Sequence, residues 1–200
     1  MTRGVPAWMS SPTQTTWGLR GSRLPDGYCW PMPAQRVRID KTTPQVYRKL
    51  IAVSAEVAAA AESIGLSRSL VELVNLRCSQ INGCAYCMDL HAQLGRSAGL
   101  STQQIDVIAG WRDAPDLYDD VEQAALEIAE LVTELPAHDA ADLAYDRATD
   151  ILDTEQTAVL IWAAVTINAF NRMSIVSGYR PRPGTSPRKA SAPFTKRASN

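Results

Sequence analysis

From Thr43 to Ser177, apolar residues recur at helical spacing, and no stretch of useful length alternates with the period of two that a strand requires. Thr43-Pro44 reads as N-cap and first helical residue, and Val46, Leu50, Val53 and Val57 carry an apolar stripe to about Ser63. Gly65-Leu66-Ser67 ends this helix and caps a second, whose stripe is Leu70, Val71, Val74, Cys78 and Ile81. Asn82-Gly83 interrupts the pattern before a third helix from about Cys84 to Ser97, stopped at Gly99. Ser101-Thr-Gln-Gln104 has the capping-box form and opens a short fourth helix, and the stretch from Asp113 to Asp116, with Pro115, is a loop. A fifth helix from about Asp119 to Leu135 turns Val121, Ala125, Ile128, Ala129 and Val132 inward, and Pro136 closes it. A sixth covers about Ala140 to Leu152, and Asp153-Thr-Glu-Gln156 opens a long seventh that ends near Ser177-Gly178. The predicted fold is all-α, a bundle of six to seven helices. The seventh helix is apolar nearly all round from Ala158 to Val165, so it is expected to lie in the core or against another subunit.

Three segments follow from this pattern. Residues 1–35 mix Ser, Thr, Gly and Pro with Trp8, Trp17 and Trp30, and read as a poorly structured extension. Residues 36–178 form one helical domain, large enough for a full core. Residues 179–200 form a basic, Pro-rich disordered tail.

Charge sharpens the division. The whole chain carries −1, yet six basic and no acidic residues follow Gly178, and residues 1–38 hold five Arg against one Asp. The intervening body is therefore strongly acidic, which gives no support to nucleic-acid binding. No apolar run reaches the length of a membrane span: the longest, near Ala158 to Ile167, is broken by Thr166 and followed by Asn168 and Asn171. Pro6, Ser10, Ser11 and Pro12 interrupt any signal-peptide core. A cytoplasmic protein with reduced thiols is expected, and there a Cys-x-x-Cys is more often catalytic or metal-binding than a structural staple.

That motif is Cys84-Ala-Tyr-Cys87-Met-Asp-Leu-His91. The two thiols and the imidazole fall on one helical face. Cys84 would sit at a fresh helix N-terminus, where unpaired N–H groups favour a thiolate. Two thiols one turn apart can close a small, often strained disulfide suited to repeated opening. A zinc site competes with this reading, since Cys84, Cys87 and His91 offer three ligands and Glu72 a fourth. Structural zinc, however, usually joins a second ligand pair, and there is no second Cys-x-x-Cys or His pair. Beside two thiols His91 is better read as a base or proton relay than as a packed core residue. Cys78 reads as a small core residue and His138 as a surface one in the loop after Pro136. No Gly-rich dinucleotide fingerprint is present, so no bound NAD(P)H or flavin is expected. Electrons would come from an external dithiol, thioredoxin-like or lipoyl.

Glu72, twelve residues before Cys84, together with Asn82-Gly-Cys84-Ala-Tyr-Cys87-Met-Asp-Leu-His91, resembles the core of the alkylhydroperoxidase AhpD-like branch of the carboxymuconolactone decarboxylase superfamily. Ile167-Asn-Ala-Phe-Asn-Arg172 resembles that family's closing stretch. The resemblance spans about Thr43 to Ser177 and neither tail. It implies an all-helical hydroperoxide reductase in which Cys87 is the peroxidatic thiolate. Cys84 resolves it and is the more exposed sulfur, and His91 with Glu72 forms a proton relay acting through a water. It further implies homo-oligomers, trimers or dimer-based hexamers. The best-known antioxidant members often carry a His just before the second Cys. Here that position is Tyr86, which donates a hydrogen bond but is a poor base near neutral pH. Competing functions are thiol–disulfide exchange or redox sensing with the same pair, the superfamily's lactone decarboxylation, and non-enzymatic partner binding through the Trp-bearing extension. Lactone chemistry needs acid–base groups rather than a cysteine pair, so the dithiol argues against it.

Overall fold

A computed structural model of the protein describes residues 36–181. The expectations for residues 1–35 and for the tail beyond Pro181 fall outside the described residues. Among those described there are eight α-helices and no strand, so the all-α expectation holds. They are α1 Ile39–Thr42, α2 Pro44–Ser63, α3 Arg68–Ile81, α4 Ala85–Ala98, α5 Thr102–Val107, α6 Asp120–Glu134, α7 His138–Thr149 and α8 Thr154–Val176. Short 3-10 segments, Ile108–Asp113 and Pro115–Leu117, link α5 to α6.

α3 is the inner helix. It packs against α4, α6 and α8, while α6 and α8 pack on each other and α2 lies along α8. Leu73, Val74 and Cys78 of α3 meet Ala125, Leu126 and Ile128 of α6 and Leu160 and Ala164 of α8, and all eight are fully buried. Truncating such a residue to alanine typically costs about 2–5 kcal/mol, by lost transfer energy plus the cavity left behind. α4 comes close to the core because Gly95 is buried, where a Cβ would stand 2.8 Å from Leu100 Cδ1.

The helix starts follow local chemistry. Ser67 Oγ accepts from Leu70 N–H, and Ser101 with Gln104 and Asp153 with Gln156 form the reciprocal boxes their spacing predicts. A further box, Asp119 with Glu122, opens α6. Thr43 departs from expectation: its hydroxyl donates back to Ile39 C=O instead of capping α2, because the extra turn α1 precedes it. His138 opens α7 rather than lying in a loop, and α7 ends at Thr149 rather than near Leu152. His138 is exposed, as expected of a surface residue.

Two apolar stripes face outward more than their pattern predicts. Val121 is exposed on the first turn of α6, before that helix reaches the core. On α2, Val57 packs against the core but Val46 and Val53 are exposed. α8 is the one helix among the described residues long and apolar enough to cross a membrane by composition. The expectation that no apolar run reaches that length is thereby corrected; the helix packs against α2, α3 and α6 and carries buried Asn168, Asn171 and Ser174 on its inner face.

Candidate active site

The turn Asn82-Gly83 delivers the dithiol. Gly83 has φ +67°, a left-handed conformation that costs a side-chain-bearing residue roughly 1 kcal/mol. Asn82 is anchored from α8: its side-chain amide donates to Asn168 Oδ1 at 2.8 Å, to Asn171 Oδ1 at 2.9 Å and to Cys78 C=O. Asn171 in turn donates to Ser79 Oγ at 3.0 Å, and Asn168 to Thr133 Oγ1 at 2.9 Å. The polar residues of the Ile167–Arg172 stretch therefore hold the turn from which the dithiol springs. The sequence carried a signal for them, polar residues at 168, 171 and 174 on one face of an otherwise apolar helix, but no partner for them could be read from it.

Cys84 is the N-cap of α4 and Cys87 lies in its first turn. Their sulfurs share a hydrogen bond at 2.8 Å, near enough to close a disulfide after a small movement. The hydrogen bond from Cys87 brings Cys84 down to about 7 against the cost of burial, with help from the Cys87 and Tyr86 backbone N–H groups and Ser174. The same hydrogen bond, together with burial and the Cys84 charge, pushes Cys87 well above the ordinary thiol range. The two sulfurs thus titrate as a pair, the first proton leaving more easily than from a lone thiol and the second held by the hydrogen bond between them. Burial pushes Cys78 up to about 12, and its thiol donates to Ala129 C=O inside the core. This matches its reading as a packing residue.

Both reactive cysteines are 2% exposed, so the expectation that Cys84 is the more exposed sulfur fails. Cys84 is covered as the N-cap, tucked under Cys87. It is Cys87 that lines a cavity of about 300 Å³, together with Glu72 and His91. The walls are largely apolar, with Val71, Leu90, Ile167 and Phe170 among them, and Tyr47, Tyr86 and Tyr179 also contribute. Tyr179, the first residue assigned to the disordered tail, instead packs edge-on against Tyr86, with ring centroids 5.5 Å apart, and stacks under the Arg38 guanidinium.

Glu72 is fully buried on α3. Burial raises its affinity for a proton, but the hydrogen bond and charge of His91 and the charge of Arg68 outweigh this and hold it below the usual carboxylate range. An ionised carboxylate only accepts, so the 2.6 Å contact is His91 Nδ1–H donating to Glu72 Oε2. Nε2 is left as the ring atom able to exchange a proton. Arg68 Nε donates to the other oxygen, Oε1, at 2.7 Å. Both Glu72 oxygens are thus engaged, one by His91 and one by Arg68. Among the described residues no group of three or more His, Cys, Asp or Glu side chains is placed to hold a metal ion.

Comparison with known proteins agrees with this geometry. Residues 44–131 match the model of the carboxymuconolactone decarboxylase family. The uncharacterized protein YdfG of Bacillus subtilis is 37% identical over 115 residues, covering 58% of this chain and 78% of that protein. The crystal structure of an Agrobacterium tumefaciens protein of unknown function, described as a candidate antioxidant defence protein AhpD, superposes with a TM-score of 0.67 at 29% identity. That match covers 75% of this chain and 99% of the other. The chain belongs to the carboxymuconolactone decarboxylase superfamily, in its AhpD-like branch.

Proposed function

We propose that the protein is a thiol-dependent hydroperoxide reductase working through Cys84 and Cys87. The observation that supports this most is the placement of a hydrogen-bonded dithiol with one sulfur on a partly open, largely apolar cavity shared with the Glu72–His91 pair. The description of the Agrobacterium protein as a candidate antioxidant defence protein points the same way.

The chemistry balances with these groups. The Cys87 proton passes to Cys84 or His91, and the Cys87 thiolate attacks the terminal oxygen of the hydroperoxide. The O–O bond breaks, the alcohol leaves with a proton returned through the relay, and Cys87 becomes a sulfenic acid. Cys84 then attacks that sulfur, water leaves, and the Cys84–Cys87 disulfide holds the two electrons' worth of oxidation. An external dithiol, thioredoxin-like or lipoyl, restores the pair by exchange and is itself oxidised to a disulfide. A reducing, cytoplasm-like compartment suits this cycle. The protein is further proposed to be a homo-oligomer, a trimer or a dimer-based hexamer.

The test is mass spectrometry of the reduced protein after one equivalent of an organic hydroperoxide. Wild type is expected to lose two hydrogens rapidly, Cys84→Ser to accumulate sulfenic acid on Cys87, and Cys87→Ser to form neither product. Oxidation no faster than that of a free thiol would overturn the proposal. A second reading, thiol–disulfide exchange or redox sensing without efficient peroxide turnover, draws support from the lowered proton affinity of Cys84, the sulfur that does not line the cavity. A protein that exchanges with disulfides but consumes no peroxide would establish it.

A further inference from the structure

Ser174 is a polar residue of α8 that eases ionisation at both sulfurs of the pair and is in hydrogen-bond contact with Cys87. It is 1% exposed and lines the cavity. A helical serine commonly bonds the carbonyl one turn back. Here the hydroxyl lies 3.7 Å from Cys87 Sγ, in hydrogen-bond contact. It continues the face of Asn168 and Asn171, the residues that hold the Asn82 turn. Its carbonyl also accepts from Tyr179 N–H at 2.9 Å, which ties the backbone at this point to the end of the fold.

We propose that Ser174 stabilises the reactive sulfur: its hydroxyl accepts from the Cys87 thiol and turns to donate to that sulfur once it is ionised. A hydroxyl can do both, having one donor and two lone pairs. The dithiol needs such a group. The hydrogen bond from Cys87, the backbone N–H groups at the start of α4 and Ser174 all ease ionisation of Cys84, whereas the cavity opens on Cys87, the sulfur the Ser174 hydroxyl contacts. Shifting the proton from Cys87 to Cys84 brings the charge to the sulfur that meets a substrate, and a donor fixed against Cys87 lowers the cost of that shift. The charged and titratable groups on the same cavity are Arg68 and Glu72 of α3, Tyr86 and His91 of α4, Tyr47 of α2, and Tyr179. A substitution at Ser174 leaves all of them in place.

The consequence for turnover rests on the hydroperoxide reading; the effect on ionisation does not. The experiment follows the ultraviolet thiolate absorbance of the reduced full chain against pH, and iodoacetamide alkylation mapped to each sulfur by mass. Wild type, Ser174→Ala and Ser174→Thr are compared. Ser174→Ala is expected to need about one pH unit more for the same ionisation, with about tenfold slower alkylation of Cys87 at fixed pH. Ser174→Thr keeps the hydroxyl and is expected to restore both. An unchanged Ser174→Ala overturns the proposal. So does an equal loss in Ser174→Thr at unchanged melting temperature, since packing and not the hydroxyl would then be responsible. If ionisation shifts as expected while even wild type consumes no peroxide, the role of Ser174 stands and the hydroperoxide reading falls.

Discussion

Glu72 shows most clearly what burial does to a single residue at this site. A fully buried carboxylate is costly unless it is paired, and here His91 and Arg68 take one oxygen each. Its proton affinity is lowered on folding, so its contribution to stability is complete above the ordinary carboxylate value of about 4.3. That contribution is lost as pH falls through the depressed native value. Glu72→Gln is therefore expected to melt below wild type at neutral pH, with the gap closing in acid; thermal unfolding across a pH series measures it. A gap that stays constant with pH would contradict the assigned ionisation. The same variant should slow oxidation of the dithiol, because a neutral amide holds the imidazole less strongly. Cys78, raised to about 12 by burial, is expected to stay unmodified under conditions that alkylate the pair.

At the scale of elements, the site depends on α8 reaching across to the turn before α4. Asn82 gives its side-chain amide to Asn168, Asn171 and the Cys78 carbonyl, all in the interior. Asn82→Ala takes this donor from Asn171 Oδ1, while Arg172 still donates to Asn168 Oδ1 and Asn82 N–H to Cys78 C=O, and is expected to cost about 1–3 kcal/mol. It should also slow disulfide closure, since Cys84 loses its fixed launch point. Denaturant unfolding and the rate of oxidation by a small disulfide check the two effects. Most helix starts were legible beforehand, because a capping box is local: Ser101 with Gln104 and Asp153 with Gln156 are each complete within four residues. Asp119 with Glu122 carried the same signal unread. The Thr43 cap was displaced by α1, a single turn whose pattern is too short to show periodicity.

Across the whole molecule, α2 and α8 leave an apolar face uncovered. Val46 is 68% exposed, Trp162 57% and Val176 65%; Val46 and Val176 line one apolar groove and Val53 and Trp162 another. Contiguous apolar surface of this kind marks an association site more often than a solvent-facing one. Trp162→Glu is expected to lower the solution mass toward that of the monomer with helical content unchanged, as read by light scattering and circular dichroism. A monomeric wild type would remove the proposed assembly. The α2 stripe shows where spacing stops as a guide to burial: Val46 and Val53 keep the helical period yet face outward.

The sequence by itself determined the helices, most of their caps and the dithiol, because each depends on neighbours within a turn or two. It also brought Glu72, Cys84, Cys87 and His91 together as candidates, through a spacing shared with a family. Only the tertiary structure decided that Glu72 is buried and paired, that Cys87 rather than Cys84 faces the cavity, and that Asn168, Asn171 and Ser174 serve the site from eighty or more residues away. The physical reason is one of range. Helix formation and capping are settled by hydrogen bonds between near neighbours, whereas desolvation, cavity shape and the partner of a buried polar group depend on which helices pack together.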